Sequence, residues 1–201
     1  MEIKTVAPVS YEGMYKVTVK EGLEFFIRAE YLSALELEAI HTGSVFSDDE
    51  ENELLDAGLA GAAELKAVSY LARAEQSRFG LKRKLLNNGQ AETYVDKALD
   101  YLENKGYLSD ERYSRAWLND RKINHCEGKA KLQMELQARG INRTVAIAAV
   151  EEFFTENDEE EICKKACERF VKKGKSEDKL IEALLKAGFS YKLIKRVMES
   201  N

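Results

Sequence analysis

The chain has 201 residues, with 31 basic and 36 acidic side chains and a formal charge of -5. A hydrophobic fraction of 44% beside a charged fraction of 33% argues against a disordered or membrane-embedded chain. The acidic total argues against a simple basic nucleic-acid binder. Length allows one or two compact domains. No apolar run approaches the roughly eighteen residues of a membrane helix. Met1 to Ser10 lacks the basic-then-apolar pattern of a signal peptide. Three cysteines cannot close a full disulfide set, which fits a reducing compartment. A cytoplasmic protein with no membrane partner is expected.

The N-terminal stretch alternates. Tyr15, Val17 and Val19 fall on one face and Lys16, Thr18 and Lys20 on the other, the period of a half-buried strand. Glu21-Gly22 is a turn, Leu23 to Arg28 a return strand, and Ile3 to Val6 a third. From Glu30 the period lengthens. Leu32, Leu35, Leu37 and Ile40 suggest a short helix ending before Gly43. Ser47 followed by Asp48-Asp49-Glu50-Glu51 is a helix start, with a hydroxyl cap and acids against the positive end of the dipole. Gly58 and Gly61 leave its continuation open.

Beyond residue 60 one template occurs three times, with a cap, two leucines and a glycine each four residues apart. It reads Ser77, Leu81, Leu85, Gly89; then Gly128, Leu132, Leu136, Gly140; then Ser176, Leu180, Leu184, Gly188. Two leucines four apart share one helix face, and the closing glycine adopts the left-handed conformation that ends a helix. A second helix follows each glycine, entered at Ala91, Asn142 and Ser190. Its core stripe is Val95, Ala98 and Leu99 in the first case. Ala146, Ala149 and Val150 match these in the second, and Ile194, Val197 and Met198 in the third. A leading helix precedes each template, over about 63–75, 110–123 and 158–173, with Ser109 and Asn157 capping the last two.

The fold expected is therefore mostly α. It has three tandem three-helix repeats in an elongated, curved arrangement, behind a small N-terminal β-hairpin or sheet with a helix. The expected divisions are an acidic head over 1–60 and repeats over 61–107, 108–156 and 157–201. Units this small need their neighbours to bury their faces. Charge follows the division. Residues 1–60 hold four basic and thirteen acidic side chains, a net of -9, and the remainder nets +4.

Gly106-Tyr107-Leu108-Ser109-Asp110-Glu111-Arg112-Tyr113-Ser114-Arg115-Ala116-Trp117, with the leucine–glycine repeats, resembles the RecX family of RecA regulators. The family pattern there is Gly-aromatic-Leu-(Asp/Asn)-Asp-x-x-(Tyr/Phe)-Ala, and Ser109 and Ser114 depart from it. Where the family has Arg-Ser-x-x-Glu-Leu, this chain has Gln76-Ser77-Arg78-Phe79-Gly80-Leu81. The resemblance spans about 61–201 and implies a non-enzymatic regulator. Such a protein binds the RecA filament on single-stranded DNA, suppresses ATP hydrolysis and strand exchange, and limits filament growth. A monomer without cofactor is expected. The alternative is a direct DNA-binding regulator of the helix-turn-helix kind.

No nucleophile–base pair or phosphate-binding loop is present to suggest an enzyme. Cys163 and Cys167, four apart among Ile162, Ala166 and Phe170, read as packing rather than a metal site. Tyr113 and Trp117 likewise read as core. The candidate partner-binding residues are basic and lie off the leucine stripes. Arg73, Arg78, Lys82 and Arg83 flank the first template. Arg115, Arg121, Lys122, Lys129, Lys131, Arg139 and Arg143 surround the second, and Lys172, Lys173 and Lys175 lead into the third. Arginine can grip carboxylates or phosphates with two parallel bonds, and lysine acts as a point charge.

Overall fold

The computed structural model describes residues 1–174 and 176–199, and the protein is mostly helical with one small sheet. It divides into two compact units, Met1–Leu108 and Ser109–Asn201.

Unit 1 opens with the antiparallel strands β1 (Ile3–Pro8), β2 (Met14–Val19) and β3 (Glu24–Arg28), in the order β1-β2-β3. Val17 pairs with Phe25 and Tyr15 with Ile27. Gly22 has φ +90, which the tight turn between β2 and β3 demands. Val17 and Val19 are buried, as the alternation requires. The segment expected as a helix over Leu32–Ile40 instead holds a single 3-10 turn, Leu37–Ala39, and a second one, Ala29–Tyr31, precedes it. The Glu53 carboxylate accepts the backbone N–H groups of Ser33, Ala34 and Leu35. A side chain rather than a ladder of backbone carbonyls thus holds this stretch, and the chain runs open between the two turns.

Helix α1 (Asp48–Leu71) starts where expected, and the Glu50 carboxylate accepts the Ser47 N–H at 2.8 Å. It then runs through both glycines. Its C-terminal half is the leading helix expected over 63–75, and it ends at Leu71 instead. The expected boundary between residues 60 and 61 therefore falls inside a continuous helix. The glycines have a physical reason. A Cβ on Gly58 would lie 2.9 Å from the Phe25 ring, and one on Gly61 would lie 2.0 Å from the Phe26 carbonyl oxygen. The helix lies directly against edge strand β3 and shields an edge that would otherwise be open.

Helices α2 (Arg78–Asn87) and α3 (Glu92–Asn104) complete unit 1. One core joins Val17, Phe25 and Ile27 of the sheet to Leu54 and Ala60 of α1 and to Leu81, Leu85, Val95 and Leu99. The acidic head and the first template thus share their packing.

Unit 2 contains α4 (Asp110–Asn124), α5 (Lys129–Gln137) and α6 (Arg143–Glu156), then α7 (Glu159–Lys172), α8 (Glu177–Lys186) and α9 (Tyr191–Glu199). All six template leucines in the chain are buried. Gly89, Gly140 and Gly188 have φ of +82, +82 and +90, as helix-ending glycines should. Ser109 caps α4 by accepting from Arg112 N–H. The cap of α7 is Asp158, whose carboxylate accepts the Glu160 N–H at 2.8 Å, and not Asn157. The Asn157 amide is engaged behind it, donating to the Phe153 carbonyl at 2.7 Å.

Two clusters fill unit 2. One gathers Leu118, Leu132, Leu136, Val150 and Phe153. The other gathers Cys163, Cys167, Leu180, Leu184, Ile194 and Val197, and Ile162 packs on both. Their backbones also join. Gly128 N–H donates to the Ala187 carbonyl at 2.9 Å, and Ala130 N–H to the Gly188 carbonyl at 3.3 Å. A Cβ on Gly128 would sit 2.5 Å from the Gly188 oxygen. This contact explains why the second template opens on glycine where the others open on serine.

Candidate functional site

The expected basic residues fall into two groups. The larger group is neutralised within its own unit. Arg78 reaches from α2 to Asp100 at 2.7 Å and Glu103 at 2.5 Å on α3. Burial opposes its charge, but these bonds outweigh burial and raise its pKa. Lys82 meets Glu92 at 2.7 Å and Asp96 at 2.8 Å. In unit 2, Arg115 pairs with Glu152, Arg121 with Glu127, Lys129 with Glu159, and both Lys131 and Arg139 with Glu135. Arg121 and Arg139 also lie over the Trp117 ring, at 5.4 and 4.6 Å from its centre. Trp117 and Tyr113 are packed, half-buried, against the first cluster of unit 2.

The second group is Arg73, Arg83, Lys122, Arg143, Lys172 and Lys173. All are exposed, and among the described residues none has a carboxylate within ion-pair distance. Lys175 lies outside the described residues.

Arg73 and Arg83 belong to a surface that the sequence reading only half identified. On α2, Arg83 lies 5.7 Å over the exposed Phe79 ring. Lys66 and Lys84 stand 5.7 and 5.3 Å from the Tyr70 ring. Asn88 donates to the Tyr70 hydroxyl at 3.1 Å, and Lys84 to the Gln76 side-chain oxygen at 2.6 Å. Lys66, Tyr70, Phe79 and Lys84 lie outside the expected set. The run Lys82-Arg83-Lys84, and the four-residue spacings Lys66–Tyr70 and Phe79–Arg83, carried the signal. Four cations without carboxylate partners among the described residues can hold phosphates, and the two aromatic faces beside them can stack on flat groups.

Among the described residues no group of three or more His, Cys, Asp or Glu side chains is placed to hold a metal. Cys163 and Cys167 are buried in the second cluster of unit 2. Burial pushes the Cys163 thiol up to about 11, so it stays protonated at neutral pH. No described helix is long and apolar enough to cross a membrane.

The fold and surface define a class: tandem three-helix repeats joined to a small sheet, bearing an exposed basic and aromatic face. Comparison makes the class specific. A family model for the second three-helix domain of RecX matches residues 109–150. A relative from Treponema pallidum strain Nichols, named regulatory protein RecX, is 35% identical over 136 residues. That alignment covers 68% of this chain and 83% of the relative. A relative of the same name from Clostridioides difficile strain 630 is 27% identical over 189 residues, covering 89% and 88% of the two chains. A crystal structure of regulatory protein RecX superposes with a TM-score of 0.77 at 17% identity, over 98% of both chains. RecX from Lactobacillus salivarius superposes at 0.62 with 20% identity, over 71% of this chain and 96% of the other. The chain belongs to the RecX family, a family of regulatory proteins.

Proposed function

We propose that this protein binds RecA filaments assembled on single-stranded DNA and restrains their ATP hydrolysis, strand exchange and extension. It does so in the cytoplasm, by binding alone and without catalysis. This role belongs to homologous recombination, DNA repair and the SOS response. The observation that carries the reading is the 35% identity, across two thirds of the chain, to a protein named regulatory protein RecX.

The charge pattern supports a division of labour within the basic set. Arg78, Lys82, Arg115, Arg121, Lys129, Lys131 and Arg139 tie helices together or brace a helix face. The exposed cations Arg73, Arg83, Lys122, Arg143, Lys172 and Lys173 are the contact residues for the filament, joined by Lys66 and Lys84. Co-sedimentation with RecA on single-stranded DNA tests this. The protein is expected to pellet with the filament, and a triple variant Arg73→Glu, Arg83→Glu, Lys84→Glu to pellet at least about fivefold less. A chain that stays in the supernatant contradicts the reading.

The cation and aromatic surface of α1 and α2 also favours a second reading, direct binding to DNA. Its discriminator is affinity for bare DNA against salt. Four neutralised phosphates on a single strand give a log–log slope of about -3. A filament regulator binds bare DNA weakly and the filament tightly.

A further inference from the structure

We propose that unit 1 carries a second docking site, a pocket that takes a bulky apolar side chain from a basic segment of a protein partner. The cavity, about 520 Å³, opens between the β1–β2 turn, the C-terminal half of α1 and the end of α3. None of its lining residues belongs to the cation surface of α1 and α2, and the inference does not depend on the filament reading.

The floor is an ion pair taken out of water. Arg28 and Glu64 keep only 4% and 2% of their side-chain surface exposed. Arg28 donates from Nε at 2.7 Å and from Nη2 at 2.6 Å to the two Glu64 oxygens, and from Nη1 to the Glu12 carbonyl. The Tyr31 hydroxyl donates to Glu64 Oε2 at 2.7 Å, and the guanidinium lies 4.4 Å over the Tyr101 ring. These charges therefore satisfy one another. Neither is left over to orient a polar ligand, so the floor offers a polar guest little. The walls are apolar, from Val68, Leu71 and Leu102 and the Tyr101 ring. An apolar group is the occupant this interior favours.

Two observations make the occupant part of a protein. Tyr11 and Tyr107 line the cavity yet remain 45% and 60% exposed. Aromatic surface of this kind is wasted on a small molecule inside the cavity and covered by a macromolecule over it. Tyr107 is also the aromatic residue of the Gly106-Tyr107-Leu108 motif, and Gly106, at φ +72, sets the turn that presents it. Charge then gives the sign of the flanks. Unit 1 holds 12 basic and 19 acidic side chains, a net of -7. At the cavity Lys105 pairs with Glu30 at 3.6 Å, and among the described residues no cationic side chain stands within ion-pair distance of the Glu12 carboxylate. Basic flanks are attracted to such a surface and acidic ones repelled.

The test is an NMR titration of the full chain, labelled with nitrogen-15. The probe is the peptide acetyl-Lys-Lys-Trp-Lys-Lys-amide. Controls carry Ala in place of Trp, or Glu in place of Lys, and N-acetyl-tryptophan amide is titrated alone. Saturable shifts are expected at residues 11–13, 28–31, 68–72 and 101–107, with both peptide controls at least about tenfold weaker. Ala72→Phe, which fills the cavity from a surface position, is expected to abolish the shifts. Tyr107→Ala, which removes a side chain outside the core, is expected to weaken binding about fivefold or more. Equal binding of the Ala peptide, shifts scattered over the acidic surface, or binding unchanged in both variants would overturn the proposal. Binding of N-acetyl-tryptophan amide as tight as that of the pentapeptide would overturn its protein partner.

Discussion

Single residues of unit 1 hold its irregular parts in place. Removing either partner of the Arg28–Glu64 pair leaves the other charged and buried. Arg28→Met and Glu64→Gln are each expected to lower unfolding free energy by about 3–5 kcal/mol in urea titrations. Glu53 has a different role, because it holds the open segment between the 3-10 turns. The Ser33 backbone N–H, with those of Ala34 and Leu35 and the Ser33 hydroxyl, holds its carboxyl down to about 2 against the opposing effect of burial. A folded pKa below the unfolded one gives stability that is complete above the unfolded value, about 4.3, and lost as pH falls toward 2. The melting temperature is expected to fall across that window, and Glu53→Gln to flatten the fall. A fall equally steep in the variant would remove Glu53 as its source. Neither group was legible in the sequence. Arg28 and Glu64 are 36 residues apart and Glu53 is about 19 from its donors, so no local spacing announces either contact.

At the scale of elements, most of the helices were legible because their signals are local. A cap, two leucines at four-residue spacing and a glycine in the left-handed conformation act within one helix, and all three templates fold as the pattern implies. Leu85→Ala, Leu136→Ala and Leu184→Ala are each expected to lose about 2–5 kcal/mol, as core truncations do. Losses near zero in thermal melts would refute the packing. The glycines of α1 and of Gly128 were not legible as contacts, since each is explained by a backbone or ring distant in sequence. Gly61→Ala is expected to destabilise unit 1 although it raises helix propensity by about 1 kcal/mol. A stabilised variant would show that α1 does not need its close approach to Phe26. For Gly128→Ala, the same logic predicts loosened packing between α5 and α8, read as faster amide exchange at Gly128 and Ala130. Unchanged exchange would contradict it.

For the whole molecule, the net charge of -5 hides two units of opposite sign. Met1–Leu108 nets -7 and Ser109–Asn201, with 19 basic and 17 acidic side chains, nets +2. Yet among the described residues the cations with no carboxylate partner are not confined to the basic unit, because α1, α2 and the link between them carry four. The sequence names every basic residue. It could not sort them, because pairing depends on which carboxylates a neighbouring helix brings near. Lys172→Glu with Lys173→Glu is expected to weaken filament binding with little change in melting temperature. Unchanged affinity would remove that pair from the interface. The central claim, that the chain restrains RecA, is tested most directly by the DNA-stimulated ATPase of RecA with this protein added below stoichiometry. The expected result is inhibition that deepens with added protein and is relieved by the α1–α2 charge-reversal variant. ATP hydrolysis unchanged at every ratio, with no protein bound to the filament, would contradict the account.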